Sequence, residues 1–419
     1  MSPEYSPAIV DNKAYSNELL GSCLAANSKR KEPLPVYCIT PELGKKSHPF
    51  NPFLEEWFLA MSPQARGDFF ALVSDTEQPG GGNNRFYSDS NTLAMVEVLR
   101  RGQPLNFPNM TAELLRFAKG GKNSPSPLPD TLRKTSQHSY ASFCRFNDIG
   151  CLNSTTTFQL TRALRKPSII YIRNPIMNLG QTGRMFGRLM MWSIVKAGLY
   201  LGLGNHVPVR MFIDELAQMV SPNIDTLYQQ ARGTGVAIIC TYHSRKDLIK
   251  QGFDLASSVE TNSRMRWYFT VSDSESKVRL SRSAGETVDT LGTASTALSE
   301  GMYSLIRTDT RAEQQVILPR LSINDINLAS DHTNKSILEI VRGSGWAQFG
   351  GFAFVLQTDY HISKDEYERR RNTPWPDLPG MEMNEPPKEP TPTPKPTAPA
   401  AEQPIETLSE KPKPKKKRF

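Results

Sequence analysis

VPVRMFIDELAQM, residues 207–219, is an apolar run that ends on two acids, Asp214 and Glu215. Its neighbours share that texture. SIIYIRNPI (168–176) is apolar through most of its length, and GVAIICTYHS (235–244) is apolar until it turns polar at Thr241. Short runs rich in Val and Ile, bounded by turn signals, read as buried strands. Helical segments lie between them, about Thr182 to Leu201 and Ile224 to Arg232. Strand, helix, strand, helix, strand at this spacing predicts parallel β-α-β units, because parallel strands need a crossover connection. The fold class is α/β with a mostly parallel sheet.

Outward from this core, AIVDNK (8–13) reads as a short strand ending in Asp-x-Lys, followed by a helix from Tyr15 to Asn27. PVYCITPE (35–42) reads as a second short strand. HPFNPFLEEW (48–57) opens a helical stretch that runs to Phe117, with turns at 78–84 and 102–108. KGGKNSPSPLPD (119–130) is a linker by its Gly, Ser and Pro content. On the far side, RMRWYFTV (264–271) is a further β-rich stretch, and a helix covers about 274–283. GMYSLIRT (301–308) and QQVILPRL (314–321) are two more β-rich pieces. The predicted organisation is early strands at 1–48, an all-helical insert at 49–165, the α/β core at 166–372 and a disordered tail at 373–419.

The chain has 419 residues and a net charge of +8, with 38% hydrophobic and 22% charged residues. Residues 373–419 hold 13 of the 32 prolines, so one segment accounts for much of the low apolar share. The rest is long enough to bury a core without disulfides. The five cysteines (Cys23, Cys38, Cys144, Cys151, Cys240) are scattered, without a CxxC pair, and the six histidines are dispersed. That excludes a structural zinc framework and predicts reduced thiols in a cytoplasmic chain. The opening MSPEYSPAIVDNKAYS lacks the basic and apolar regions of a signal peptide. The most apolar stretch, Met185 to Gly204, is interrupted by Arg188, Lys196 and Gly198, which predicts a buried helix rather than a membrane span. The terminal cluster of Lys411, Lys413, Lys415, Lys416, Lys417 and Arg418 suits an anionic partner or simple solvation.

The chemistry gathers at strand ends. In open α/β sheets, ligands bind at the carboxyl ends of the strands. An Asp there holds the hydrated Mg²⁺ of a nucleotide, and an adjacent Glu orients the attacking water in phosphoryl transfer. Asp214 and Glu215 have this Walker B pattern, although Asp-Glu before a helix also occurs as a plain cap. Eighteen residues after Asp214, Arg232 ends a helix just before Gly233 and Gly235. It fits an arginine finger for a neighbouring subunit, or a helix C-terminal cation. Thr241 and His243 stand where a γ-phosphate sensor or water-positioning group belongs; a surface-loop histidine is the plainer alternative. The predicted catalytic set is therefore Asp214, Glu215, Arg232 and His243, with Asp214 and Thr241 binding cofactor and Asp214 holding metal. Arg264, Arg266 and Arg282, with Lys277 and Arg279, lie near Trp267 and Tyr268, which suits nucleic-acid backbone contact and base stacking. Ordinary solvated strand and helix faces give the same pattern. The phosphate cradle GxxxxGK[ST] is absent from the 419 residues; LGKKSH (43–48) and KGGKNS (119–124) lack the spacing and the following helix, and read as loops.

The run from Ile9 to Pro319 resembles the type IV secretion coupling proteins, the TraG/TraD group of conjugation ATPases. The matching pieces come in family order: AIVDNK (8–13), PVYCITPELGKKSHPFNPF (35–53), FYSDSNTLAMVEVL (86–99), MFIDELAQM (211–219), LYQQARGTGVAIICTYHS (227–244), TNSRMRWYFTVSDSESKVRLSRSAGE (261–286) and GMYSLI with VILP (301–319). The resemblance implies a RecA-like motor, generally hexameric, with an all-helical insert at about 50–165. It implies Asp214 and Glu215 as the Walker B pair and Arg232 as the finger position. His243 departs from the glutamine usual there. In the family, transmembrane helices and the phosphate loop precede the Asp-x-Lys strand, so the chain reads as the carboxyl-terminal three-quarters of such a motor. The implied cofactors are ATP and Mg²⁺, with the phosphate loop supplied elsewhere. The implied partners are DNA, relaxosome or accessory proteins, the secretion channel at the cytoplasmic face of the inner membrane, further copies of the chain, and a separate Walker A-bearing chain. Three functions follow: part of a DNA- or protein-transferring ATPase, a non-hydrolysing adaptor, or a poorly folding fragment.

Overall fold

The computed structural model describes residues 5–74, 83–119, 130–250, 253–301, 304–329, 333–341, 353–359, 362–381 and 384. Its centre is a five-stranded parallel sheet of β1 (Ser6–Asp11), β2 (Val36–Ile39), β3 (Ile169–Arg173), β4 (Val209–Ile213) and β5 (Val236–Cys240), in the order β2-β3-β1-β4-β5. β3 is buried along its whole length. Cover on both faces explains why β1 and β3 read as continuous apolar runs rather than alternating ones.

The crossovers are helical. α1 (Glu18–Ser28) joins β1 to β2. Seven helices follow β2: α2 (Glu56–Leu59), α3 (Pro63–Val73), α4 (Asn83–Gly102), α5 (Phe107–Lys119), α6 (Asp130–Phe143), α7 (Gly150–Asn153) and α8 (Leu160–Leu164). Phe53, Phe58, Phe70, Phe107, Phe143 and Phe146 pack them together, mostly edge to face. Glu55 ties the first turn of this helical unit to its last. Its Oε1 accepts from the Thr157 hydroxyl at 2.6 Å and its Oε2 from the Leu160 N–H at 2.9 Å. Burial pushes its carboxyl up to about 7.

After β3 come α9 (Ile176–Leu179) and α10 (Gln181–Leu201). α10 is buried on nearly every side from Met185 to Val195, with Leu199 and Tyr200 exposed near its end, and it packs against the helical unit. α11 (Pro222–Ala231) joins β4 to β5. A short pair, β6 (Ile249–Lys250) and β7 (Phe253–Asp254), then leads to α12 (Leu255–Asn262).

The β-rich stretch at 264–271 forms β8 (Met265–Tyr268), which belongs to a separate sheet. It pairs antiparallel with β11 (Lys335–Ile340), which pairs antiparallel with β12 (Ala353–Gln357). A second core lies under this small sheet, built from Val271, Leu280, Ala284, Leu321, Ile326, Ala329, Ile337 and Ala353. α13 (Ser274–Ala284) and α14 (Ile323–Leu328) contribute to it. The two short stretches expected at 301–308 and 314–321 fall largely on one strand, β10 (Ser304–Pro319), paired in a long hairpin with β9 (Glu286–Gly301). β9 gave no sequence signal: ETVDTLGTASTALSEG is mostly small and polar, and the strand is defined by its antiparallel ladder with β10.

The start of the tail departs from the expectation. The composition predicts disorder from residue 373, yet residues 373–381 and 384 are described and pack on the body. Trp375 Nε1 donates to the Lys46 carbonyl at 2.8 Å, Leu378 is buried, and Asn384 is buried against the β2 side. The prolines dominate the composition and hide these few anchoring side chains. The rest of the predicted tail, and linker residues 120–129, lie outside the described residues. LGKKSH (43–48) is irregular structure with Gly44 at φ 73°, not a helix-capped phosphate loop.

Candidate functional site

Parallel register brings the ends of β1, β4 and β5 level. Ile213 pairs with Val10 on one side and with Cys240 on the other. Backbone bonds carry the pairing one step past the strands: Asp214 N–H donates to Val10 O, Thr241 N–H to Ile213 O, and Leu216 N–H to Thr241 O. Asp214, Glu215, Thr241 and His243 therefore stand on one rim.

Their side chains are joined. The Thr241 hydroxyl donates to Asp214 Oδ1 at 2.8 Å and accepts from the Glu215 N–H at 3.0 Å. His243 Nε2 lies 2.7 Å from Glu215 Oε1, and Lys13 Nζ lies 3.7 Å from Oε2. Glu215 is buried, whereas His243 and Thr241 are exposed. Glu215 has φ 55° and ψ 52°, the left-handed region that side chains other than glycine adopt at a cost. The turn aims its carboxylate back along the rim.

A polar layer behind the rim holds it in place. Asn12 Nδ2 donates to the Asp214 carbonyl at 2.7 Å, and Asn174 Nδ2 donates to Asn12 Oδ1 at 2.9 Å and to Gly183 O at 3.0 Å. The ends of β1, β3 and β4 and the start of α10 are thus one network. Gly187 on α10 permits the close approach: a Cβ there would sit 2.5 Å from Met219 Sδ and 2.9 Å from Asn174 Nδ2. Asp11, next to Asn12, accepts from the Tyr171 hydroxyl. Burial, with the Asp214 charge adding to it, raises its carboxyl above the usual range.

Arg232 is exposed at the amino end of β5, the opposite end from the acids. Five residues of strand separate the two ends, roughly 16 Å. The structure does not bring Arg232 to the rim of its own chain. Arg264 and Arg282 are exposed. Arg266 is not: its Nη1 donates to Glu339 Oε2 at 2.9 Å and its Nη2 to the Glu260 carbonyl, so its charge is neutralised inside the small domain. Sequence reasoning missed Asn12, Lys13 and Asn174. The signal was present, since Asp-x-Lys at the carboxyl end of an apolar strand has the same character as the TYHS cluster.

A nucleotide's Mg²⁺ takes one or two carboxylates and otherwise waters and phosphate oxygens. Among the described residues no cluster of three acidic, His or Cys side chains forms a protein-only metal site. A single half-buried Asp at an open rim, oriented by a hydroxyl, suits the nucleotide-borne ion and not a dehydrated structural one.

Residues 208–327 match the family model of the TraM recognition site of TraD and TraG. Among solved structures, the chain is similar to the bacterial conjugative coupling protein TrwBdeltaN70 in its unbound form, with TM-score 0.56 and 12% identity over 84% of this chain and 78% of that chain. The signature matched over 208–327 is one of TraG/TraD-type coupling proteins. TrwB in complex with a non-hydrolysable ATP analogue matches with TM-score 0.55 and 10% identity over 84% of this chain and 78% of that one. TrwB with ADP and Mg²⁺ matches with TM-score 0.50 and 12% identity over 84% of each chain. The fold shared with these coupling proteins is RecA-like α/β. No curated protein matches the chain in sequence. No described helix is long and apolar enough to cross a membrane.

Proposed function

We propose that this chain supplies the acidic half of a nucleotide-hydrolysing site in a conjugative type IV secretion coupling motor, which recruits DNA or protein and drives it toward the channel. One observation carries the reading: adjacent parallel strands set Asp214, Glu215, Thr241 and His243 on a common rim, hydrogen-bonded to one another. In this reading Asp214 holds the hydrated Mg²⁺ of ATP, which neutralises charge developing on the phosphates. Glu215 orients the attacking water and takes its proton. His243 and Lys13 hold the Glu215 carboxylate in position. Thr241 fixes Asp214. Arg232, at the far end of β5, serves the site of the next copy in a ring. The phosphate loop lies outside residues 1–419. The partners are DNA, contacted through exposed groups such as Arg264 and Arg282, relaxosome or accessory proteins, further copies of the chain, and the channel at the cytoplasmic face of the inner membrane.

DNA-stimulated ATP hydrolysis, measured with a phosphate-loop polypeptide present, tests this. Asp214→Ala should remove the activity, and full activity in that variant rejects the reading. A second reading, a non-hydrolysing adaptor, is favoured by the absence of GxxxxGK[ST] from the sequence. It predicts unchanged partner binding in Asp214→Ala and no hydrolysis in any assembly.

A further inference from the structure

β1 ends in a turn that an alanine adopts only at a cost. Ala14 has φ 44°, in the left-handed region, and it is buried. Asp11, the last residue of β1, closes the turn: its Oδ1 accepts the Ala14 N–H at 2.8 Å. A turn that only joined β1 to α1 could carry glycine at this position or follow an unstrained path. Strain of this kind persists where the surroundings over-determine it.

Here the surroundings are two buried residues of β3, Tyr171 and Arg173. Parallel register sets Tyr171 beside Ile9 and Arg173 beside Asp11. The Tyr171 hydroxyl donates to Asp11 Oδ2, so one oxygen of that carboxylate meets β3 while the other holds the turn. Arg173 Nη2 donates to the Ala14 carbonyl at 2.6 Å and its Nη1 to Asn17 Oδ1 at 2.6 Å, while its Nε donates to Glu42 Oε2. Between the clamped ends lie Asn12 and Lys13. Asn12 Nδ2 donates to the Asp214 carbonyl at 2.7 Å, and Lys13 Nζ stands 3.7 Å from Glu215 Oε2. Lys13 directly precedes Ala14, so relaxation of φ at Ala14 re-aims it.

We propose that Tyr171 and Arg173 are positioning residues for the proposed hydrolysis. They hold the 11–14 turn in its strained form, and the turn keeps Asn12 on the Asp214 backbone and the Lys13 ammonium beside the Glu215 carboxylate. Both act through the turn, and the effect reaches the acids of β4 across one intervening strand, β1. Glycine adopts φ 44° without strain. A chain with Ala14→Gly therefore needs the clamp less, a dependence that ordinary packing does not create. The inference rests on the proposed function, since it concerns how the same acids are aimed.

A zero-length carbodiimide joins an amine and a carboxylate directly as an amide. Applied to the full 419-residue chain, with mass spectrometry of the joined peptides, it reads the approach of Lys13 to Glu215. Tyr171→Phe should lower the yield about fivefold, the worth of one modest hydrogen bond. Arg173→Lys, which keeps a cation for Glu42 but loses the fork, should do the same. Adding Ala14→Gly to either variant should restore most of the yield. Ile170→Val, a loss of packing at the next position of β3, should leave it unchanged. Wild-type yield in both clamp variants overturns the proposal. So does an equal fall in Ile170→Val, or no rescue by Ala14→Gly. Should neither clamp variant fold, hydrogen exchange of the wild-type chain decides. Its Ala14 amide should exchange as slowly as those of β1, and exchange at the rate of an open loop overturns the proposal. Hydrolysis is a separate readout. In an assembly that hydrolyses ATP, Tyr171→Phe should lower kcat with KM unchanged, and an unchanged kcat overturns the positioning role. Cross-linking as expected in a chain that hydrolyses nothing in any assembly rejects the proposed activity and keeps the clamp.

Discussion

The Thr241 hydroxyl donates to Asp214 Oδ1 at 2.8 Å while accepting from the Glu215 N–H at 3.0 Å, so one side chain at the end of β5 orients both acids at the end of β4. Thr241→Val keeps the shape and removes both bonds. Thr241 is exposed, so folding should survive. Turnover in the proposed ATPase assembly should fall about tenfold, the worth of one or two modest hydrogen bonds. Thr241→Ser should restore most of it. Equal turnover in Val and Ser variants would show that the hydroxyl orients nothing.

Glu215 combines a buried carboxylate with a left-handed backbone. Strain of this kind collects at sites where geometry matters more than stability. Glu215→Gly should raise stability in a denaturant melt by up to about 1 kcal/mol, because glycine adopts φ 55° freely. It should also abolish hydrolysis. Glu215→Gln, which keeps the side-chain length, should lose hydrolysis without the gain in stability. A Glu215→Gly chain less stable than wild type would mean that the carboxylate's contacts with His243 and Lys13 outweigh the strain.

Much of this was legible in the sequence, for physical reasons. Strands buried on both faces are continuous apolar runs, so β1 and β3 stood out, and β5 read the same way because VAIIC is apolar on its exposed face as well. The polar breaks at Asp214 and Thr241 marked the rim because core strands have no use for them. What the sequence hid depended on partners distant along the chain. RMRWYFTV could not reveal that its partner was β11, some seventy residues on, nor that Arg266 would be neutralised by Glu339. The long hairpin is held by its ladder, which leaves no hydrophobic pattern. Asn12 and Asn174 look like ordinary turn residues until β1 and β3 lie side by side.

The segment after residue 372 gives a stability prediction. Asn384 Nδ2 donates to Thr40 O at 2.7 Å and Glu42 O at 3.1 Å, and its Oδ1 accepts from the Cys151 N–H at 2.8 Å. It thereby clips the chain's far end to the β2 loop and to α7. Asn384→Ala leaves buried backbone groups unpaired and should cost about 2–3 kcal/mol. Truncation after residue 384 should cost little, whereas truncation after residue 372 should also remove Trp375 and Leu378 from the sheet face and destabilise more. Equal melts for both truncations would detach this segment from the fold.

Glu55 makes the stability of the helical unit depend on pH. Burial raises its carboxyl from 4.5 to about 7, against the opposing bonds from Thr157 and Leu160, which favour the charged form. The folded chain therefore binds this proton more tightly than the unfolded chain. Between pH 4.5 and about 7 the folded state holds more protons, so stability falls as pH rises through that window and levels off above it. The loss should be about 3 kcal/mol, since each pH unit across that window costs about 1.4 kcal/mol. Asp11, also raised by burial, and His48, lowered by burial, add their own slopes. The measurement is thus the difference between wild type and Glu55→Gln, whose amide is neutral throughout and retains an acceptor oxygen. Urea melts at pH 5 and pH 8 should show the wild type losing more stability than Glu55→Gln across that interval. Parallel losses in the two proteins would place the pH dependence elsewhere in the chain.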